Sequence, residues 1–276
     1  MALRIAVAGV SGRMGRTLVE AIASADDLVL SGALDVAGGA ACGHDAGAFL
    51  GRTLAVTVSA DLQTGLTGAD VLIDFTRPEG TLAHLAVCQE LGVNAVIGTT
   101  GFSDAQKAQI AAFAQRIAIV MAPNMSVGVN VMLKLLDVAA RALDPSYDIE
   151  IVEMHHRLKV DAPSGTALQM GEVVAAARGT TLEADAVHAR HGDTGERRAG
   201  TIGFASLRGG DVVGDHTVVF AGSGERIEVT HKSASRANYA AGSVRAARFL
   251  KGRRSGLFGM AEVLGLADEP STTGSP

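Results

Sequence analysis

Ile5-Ala6-Val7-Ala8-Gly9-Val10-Ser11-Gly12-Arg13-Met14-Gly15-Arg16 is the stretch that decides the fold. An apolar strand runs into a glycine turn, and the spacing of Leu18, Val19 and Ile22 continues it as a helix. Gly9 permits the tight turn, Gly12 lets the backbone approach a pyrophosphate, and Gly15 allows close packing of helix on strand. The glycines fall as G-x-x-G-x-x-G, a variant that is weak evidence by itself. Its context is stronger. A second apolar strand, Leu28 to Leu34, ends in Asp35 about twenty residues after Gly15, where a carboxylate meets the hydroxyls of an adenosine ribose. Together these predict a dinucleotide site.

Outward from this turn, strand and helix alternate. A short strand is expected at Leu54 to Val58 and a buried one at Val71 to Phe75. The latter runs into Thr76-Arg77-Pro78-Glu79, which reads as a capping box with proline in the first helical turn. That helix carries Leu82, Leu85, Ala86 and Leu91. A strand at Asn94 to Gly98 follows, then a second box from Ser103 to Gln106, a helix, and a strand at Ile117 to Met121. The alternation predicts an α/β, Rossmann-like, doubly wound parallel sheet over residues 1–126, with ligands at the C-terminal strand ends. Gly98, Thr99 and Thr100 fall there, as do Ala122, Pro123, Asn124 and Met125.

The pattern then changes. A long helix, Val127 to Leu143, precedes a strand at Asp148 to Glu153, a helix at Ala167 to Ala177, and strands at Ile202 to Leu207, His216 to Ala221 and Arg226 to Thr230. This predicts a second, α+β domain over 127–235 with an open mixed sheet. A helix from Arg236 to Leu250 returns to the first domain, which takes in 236–266, and 267–276 reads as a disordered tail.

The second signal lies in the run from Glu153 to Thr166. His155 and His156 exchange protons near neutrality, Lys159 brings a fixed positive charge, and Ser164-Gly165-Thr166 enters a helix with free backbone N–H groups for an anion. The set suits a small substrate that carries carboxylates and is protonated as it reacts. If the segment is helical or turn-like, the four-residue spacing puts His155 and Lys159 on one face.

Composition narrows the alternatives. A net charge of -5 without a basic tract argues against nucleic acid. Cys42 and Cys88 make neither a disulfide framework nor a zinc spacing, and both read as buried small residues. No His/Asp/Glu cluster has a metal-ligand pattern. No stretch reaches the ~18 apolar residues of a membrane span, so a soluble, cytoplasmic protein is expected. His84, His188, His191 and His216 read as structural or surface residues, and His231 as support for the substrate domain.

GVSGRMGR (9–16), IDFTRPEGT (73–81), VIGTTGF (96–102), APNMSVGVN (122–130), EMHHRLKVDAPSGTA (153–167) and GERIEVTHKSASR (224–236) resemble, in order, the motifs of the bacterial dihydrodipicolinate reductase family. The resemblance covers almost the whole chain apart from the tail. It implies NAD(P)H-dependent reduction of 4-hydroxy-tetrahydrodipicolinate, with loss of water, in lysine and diaminopimelate biosynthesis. It places cofactor contacts on Gly9, Val10, Ser11, Gly12, Arg13, Met14, Asp35, Gly98 to Thr100 and Ala122 to Met125. It puts the acid/base on His155, the proton-donating lysine on Lys159, and substrate-carboxylate contacts on His156, Gly165 and Thr166. It further implies NADH or NADPH as cofactor, no metal, and a homotetramer formed through the second-domain sheet. One departure matters. Some members follow the acidic ribose-binding residue with an arginine that holds a 2′-phosphate, whereas Asp35 is followed here by Val36, Ala37 and Gly38. Two other readings share part of the pattern: a nicotinamide dehydrogenase of an amino or sugar acid, and a non-catalytic dinucleotide sensor.

Overall fold

A computed structural model describes residues 1–267. The chain lays down β1 (Leu3–Ala8), α1 (Arg13–Ala23), β2 (Leu28–Leu34), α2 (Leu62–Leu66), β3 (Val71–Asp74), α3 (Pro78–Leu91), β4 (Asn94–Ile97), α4 (Asp104–Phe113) and β5 (Ala118–Met121). There follow α5 (Val127–Ala142), β6 (Asp148–His155), α6 (Gly165–Ala177), α7 (Leu182–Asp185), β7 (Ala186–Val187), β8 (Ile202–Arg208), β9 (Gly214–Ala221) and β10 (Arg226–Ser233). The path ends with α8 (Ala237–Leu250), β11 (Gly256–Phe258) and α9 (Met260–Leu264). Residue contacts divide the chain into two units, Met1–Val127 with the segment from Arg236, and Gly128–Ser235. Of the tail expected at 267–276, all but Ala267 lies outside the described residues. No described helix is long and apolar enough to cross a membrane.

The first unit is the expected doubly wound sheet. Its strand order is β11-β5-β4-β3-β1-β2, and every pair is parallel. Alternation along β1 explains why helices cover both faces. Ile5 and Val7 pack with Leu18 and Ile22 of α1 and Val244 of α8, whereas Ala6 and Ala8 face Leu85 of α3 and Ile110 of α4. At three residues, β11 is too short to carry a periodic signal.

Some local expectations fail, each for a physical reason. Leu54 to Val58 forms no strand, only an isolated Asp45–Thr57 bridge. Asp45 takes the N–H groups of Gly47 and Leu54, and Ala55 has φ 57°. Before α3 the capping box does not form: Arg77 is the N-cap, and Thr76 bonds instead to Asp74 through its N–H and Oγ1 (2.8 and 2.7 Å). Pro78 does open the helix, and Leu91 is exposed rather than buried. The box at Ser103 and Gln106 forms in both directions. Cys88 is buried, which pushes its thiol up to about 12, while Cys42 is only half-buried.

The second unit holds a mixed sheet, β10-β9-β6-β8-β7, in which β6, β8 and β7 run parallel and β9 opposes both its neighbours. Ile149, Ile151, Phe204, Val218 and Phe220 form the inward row, under Leu136 of α5 and Met170 and Val174 of α6. The strand β6 runs two residues beyond the expected Glu153, so the inward row continues through Glu153 and His155, both buried. Val152 and Met154 point to the opposite face of the sheet, half-buried, beside the exposed Leu207.

Candidate active site

Two sets of polar groups stand out, one in each unit. In the first unit, parallel strands bring the C-terminal ends of β1, β2, β4 and β5 to one edge, and with them the glycine turn, Asp35, Gly98 to Thr100, and Ala122 to Met125. Gly9 has φ +70°, and a Cβ on Gly15 would lie 2.1 Å from the Gly9 carbonyl oxygen, so the turn and α1 require glycine at both positions. The Ser11 N–H donates to Asp35 Oδ2 (2.8 Å) and the Val36 N–H to Oδ1 (2.8 Å), which draws the carboxylate up to the turn. Burial works against the Asp35 charge, but these bonds outweigh it and hold its titration below the usual range. A glycine cradle at a helix N-terminus, with a carboxylate beside it, fits the pyrophosphate and ribose of a dinucleotide. Arg16 is engaged elsewhere, its Nε on the Ser11 carbonyl and its guanidinium 5.4 Å from the Phe49 ring centroid.

The neighbouring loops are fixed from below. Asp74, buried at the end of β3, accepts from Thr76 and pairs with His84 Nδ1 at 2.7 Å, so His84 is structural as expected. Thr99 Oγ1 takes a bond from Thr81 (3.0 Å) and is buried, whereas Thr100 is exposed. Within the fourth stretch, Ala122 and Met125 belong to the core, Pro123 is exposed, and Asn124 Oδ1 accepts the Ser126 N–H at 2.9 Å.

In the second unit, the site is built around a buried carboxylate. Glu153 Oε2 meets His155 Nδ1 at 2.6 Å and Arg208 at 2.8 Å, while Oε1 accepts from Arg208 (2.8 Å) and from the Ser164 N–H (3.2 Å). Desolvation opposes its charge, yet the Arg208 and His155 hydrogen bonds hold the carboxyl down at about 2. A carboxylate only accepts, so His155 Nδ1 carries the hydrogen and Nε2 is left as the exchanging atom. A Cβ on Gly214 would sit 3.0 Å from that Nε2, so glycine keeps its approach open.

The helix α6 begins beside this carboxylate. Ser164 caps it by accepting the Ala167 N–H at 3.2 Å, and the same hydroxyl bonds His216 Nε2 at 3.0 Å. A Cβ on Gly165 would meet nothing within 4 Å, so the surface beside that residue is open. His216 crosses edge-on to His155 with ring centroids 5.1 Å apart. Burial and the neighbouring imidazole push His216 down to about 4. His156 Nδ1 is buried and lacks a hydrogen-bond partner among the described residues.

Lys159 does not follow His155 along a helix: His155 ends β6, and a turn through Arg157 and Leu158 brings the Lys159 N–H onto the His156 carbonyl at 3.1 Å. Its ammonium instead sits 2.8 Å from both oxygens of Asp161. Reading the sequence assigned no role to Glu153, Asp161 or Arg208, and placed neither the Ser164 side chain nor His216 beside His155. Period-two alternation carried to the end of β6 would have paired Glu153 with His155 on the inward face. The same alternation puts His216 in the row of Val218 and Phe220, buried and bonded to the hydroxyl that caps α6. Among the described residues, no group of three His, Cys, Asp or Glu side chains has the arrangement to hold a metal ion.

Two family models match the chain: "Dihydrodipicolinate reductase, N-terminus" over residues 3–125 and "Dihydrodipicolinate reductase, C-terminus" over 128–264. A 4-hydroxy-tetrahydrodipicolinate reductase of Cupriavidus pinatubonensis is 64% identical over 96% of this chain and 100% of its own length. Its counterpart in Nitrosomonas europaea is 60% identical over 96% of this chain and 98% of its own. Among solved structures, the dipicolinate-bound dihydrodipicolinate reductase of Paenisporosarcina sp. TG-14 superposes with a TM-score of 0.75. That protein is 26% identical, over 95% of this chain and 99% of its own.

Proposed function

Since the chain belongs to the dihydrodipicolinate reductase family, we propose that the buried polar cluster of its second unit protonates and holds the cyclic dicarboxylate that this family reduces. The protein is a nicotinamide-dependent reductase of 4-hydroxy-tetrahydrodipicolinate. Substrate, reduced cofactor and one proton give tetrahydrodipicolinate, oxidised cofactor and water.

The observation that carries the residue roles is the Glu153–His155 pair beside the N-terminus of α6. When bound, the reduced nicotinamide supplies the hydride. His155 supplies the balancing proton from Nε2, the nitrogen that Glu153 leaves free. Gly165 and Thr166 receive one substrate carboxylate with backbone N–H groups, where the helix dipole favours an anion. His156 and Lys159 meet carboxylate charge, Lys159 by exchanging Asp161 for the substrate. Its role is electrostatic as much as protic.

Dinucleotide binding falls to the first unit, at Gly9 to Met14, Asp35, Gly98 to Thr100 and Ala122 to Met125; substrate binding and assembly fall to the second. Both NADH and NADPH serve, with NADH ahead, because Asp35 suits ribose hydroxyls and Val36 offers no charge to a 2′-phosphate. The half-buried Val152 and Met154, with Leu207 alongside, supply an apolar sheet face for assembly into a homotetramer. The cytoplasm, which holds the nicotinamide pool, is the proposed location.

The test is loss of nicotinamide absorbance with freshly generated substrate. His155→Ala and Lys159→Ala should each lower kcat by about 10²–10⁴-fold, the usual contribution of a positioned acid, with NADH affinity nearly unchanged. Turnover near wild type in both variants would refute the assignment.

A further inference from the structure

We propose that Glu153 is a positioning residue of this site, one carboxylate that fixes both the proton-donating imidazole of His155 and the anion-receiving turn at Ser164. The proposal rests on reading His155 as the acid. Residues two apart on a strand share a face, so Glu153 and His155 point together into the inward row that Ile149 and Ile151 begin. Glu153 is 1% exposed. A carboxylate in such a position is unfavourable unless its lone pairs are filled.

Its oxygens are shared among different parts of the site, with the Ser206 side chain of β8 as a further partner. Arg208 of β8 takes one bond on each oxygen, His155 takes the second place on Oε2, and the Ser164 N–H takes the second place on Oε1. A purely structural ion pair would need only Arg208. Here the remaining places go to the acid and to the residue that caps α6. The proton donor and the carboxylate receptor are therefore referenced to one rigid group, so that a bound substrate meets both in register.

The charged and titratable groups around His155 are few. Glu153 lies on its own strand, Arg208 on β8 and His216 on β9, and the Lys159–Asp161 pair lies in the segment that follows. Glu153 sets a negative charge against the His155 ring, while Arg208 and His216 flank the pair. Glu153→Gln removes that negative charge and leaves Arg208 unpaired. An amide also has one acceptor end and cannot serve both His155 and Ser164. Arg208→Gln does the reverse and leaves the carboxylate without its guanidinium partner.

Full-length wild type, Glu153→Gln, Glu153→Asp and Arg208→Gln are compared as kcat–pH profiles with NADH and substrate. The limb on which activity falls as pH rises reports the acid. It should move to lower pH by about one unit or more in Glu153→Gln, the usual effect of an adjacent opposite charge, with kcat at least about tenfold lower. It should move to higher pH in Arg208→Gln and stay near wild type in Glu153→Asp, which keeps the charge. Limbs that stay still in Glu153→Gln and Arg208→Gln, or that move in the same direction, overturn the proposal. A variant that does not fold leaves the sign of the other to decide. Ring ¹⁵N shifts of wild-type histidines, with His155 assigned by its alanine variant, give an answer without any Glu153 variant. Hydrogen on Nδ1 of neutral His155 is expected, and hydrogen on Nε2 overturns the proposal. Should His155→Ala keep wild-type turnover, the reading of His155 as the acid fails instead.

Discussion

Replacing Val36 by arginine should turn the cofactor preference from NADH toward NADPH. Asp35 accepts two backbone N–H groups, from Ser11 and Val36, and its charge is held below the usual carboxylate range. In the proposed role, that fixed negative charge would meet the 2′- and 3′-hydroxyls of NADH and repel the 2′-phosphate of NADPH. At position 36 the side chain is 73% exposed, so an arginine there displaces no core packing. The Val36 N–H that bonds Asp35 belongs to the backbone and survives the change. A charge-assisted hydrogen bond is worth about 1.5–3 kcal/mol, or about ten- to a hundredfold in affinity. The ratio of kcat/KM for NADPH to that for NADH should therefore rise by about tenfold or more in Val36→Arg. Parallel steady-state titrations of both cofactors at fixed substrate and fixed ionic strength measure it. Arg16 is already engaged with Ser11 and Phe49, which leaves Arg13 as the competing cation in the turn. A wild-type preference for NADPH of about tenfold, the span of one charge-assisted bond, or an unchanged ratio in the variant, would refute the reasoning at Asp35.

Three further outcomes follow from the second unit. If the N-terminus of α6 receives a substrate carboxylate as proposed, pyridine-2,6-dicarboxylate should compete with substrate and not with NADH; competition against the nucleotide contradicts that placement. Asp161→Asn should free the Lys159 ammonium for the substrate. The Asp161 side chain is 56% exposed, and such a pair is worth about 0–1 kcal/mol, so KM should fall by up to about fivefold at constant kcat. A raised KM would mean that Asp161 itself binds substrate. Stability should drop below neutral pH through His216, whose folded-state titration lies at about 4 against an ordinary 6.5. The unfolded chain takes a proton below 6.5 that the folded one refuses, so the contribution is full above 6.5 and lost as pH falls toward 4. Urea unfolding at pH 7 and at pH ~4.5 should show wild type losing on the order of 2 kcal/mol that His216→Gln does not lose. Equal losses in both proteins would remove His216 as the cause.

What the sequence made legible, and what it hid, follows from the range of the interactions. The glycine turn, β2 and Asp35 are contiguous signals, and their period and spacing suffice to place them. The failed strand at Leu54 to Val58 has apolar alternation, but Asp45 captures the backbone of Gly47 and Leu54, a contact across nine residues that no period reports. The boundary of β6 is the more instructive case. His155-His156 looks like a polar loop, and ending the strand at Glu153 separates two residues that the pleat puts side by side. Arg208 and His216 arrive from β8 and β9 and carry no local mark. Their register does. Glu153 is the direct ladder partner of His216, and His155 of Arg208. In the same inward row stand Ile149, Ile151, Val218 and Phe220. Polar side chains at such positions cost more than apolar ones unless every lone pair is partnered. Glu153, His155 and His216 at one end of a single two-strand ladder mark the point where the core gives way to chemistry.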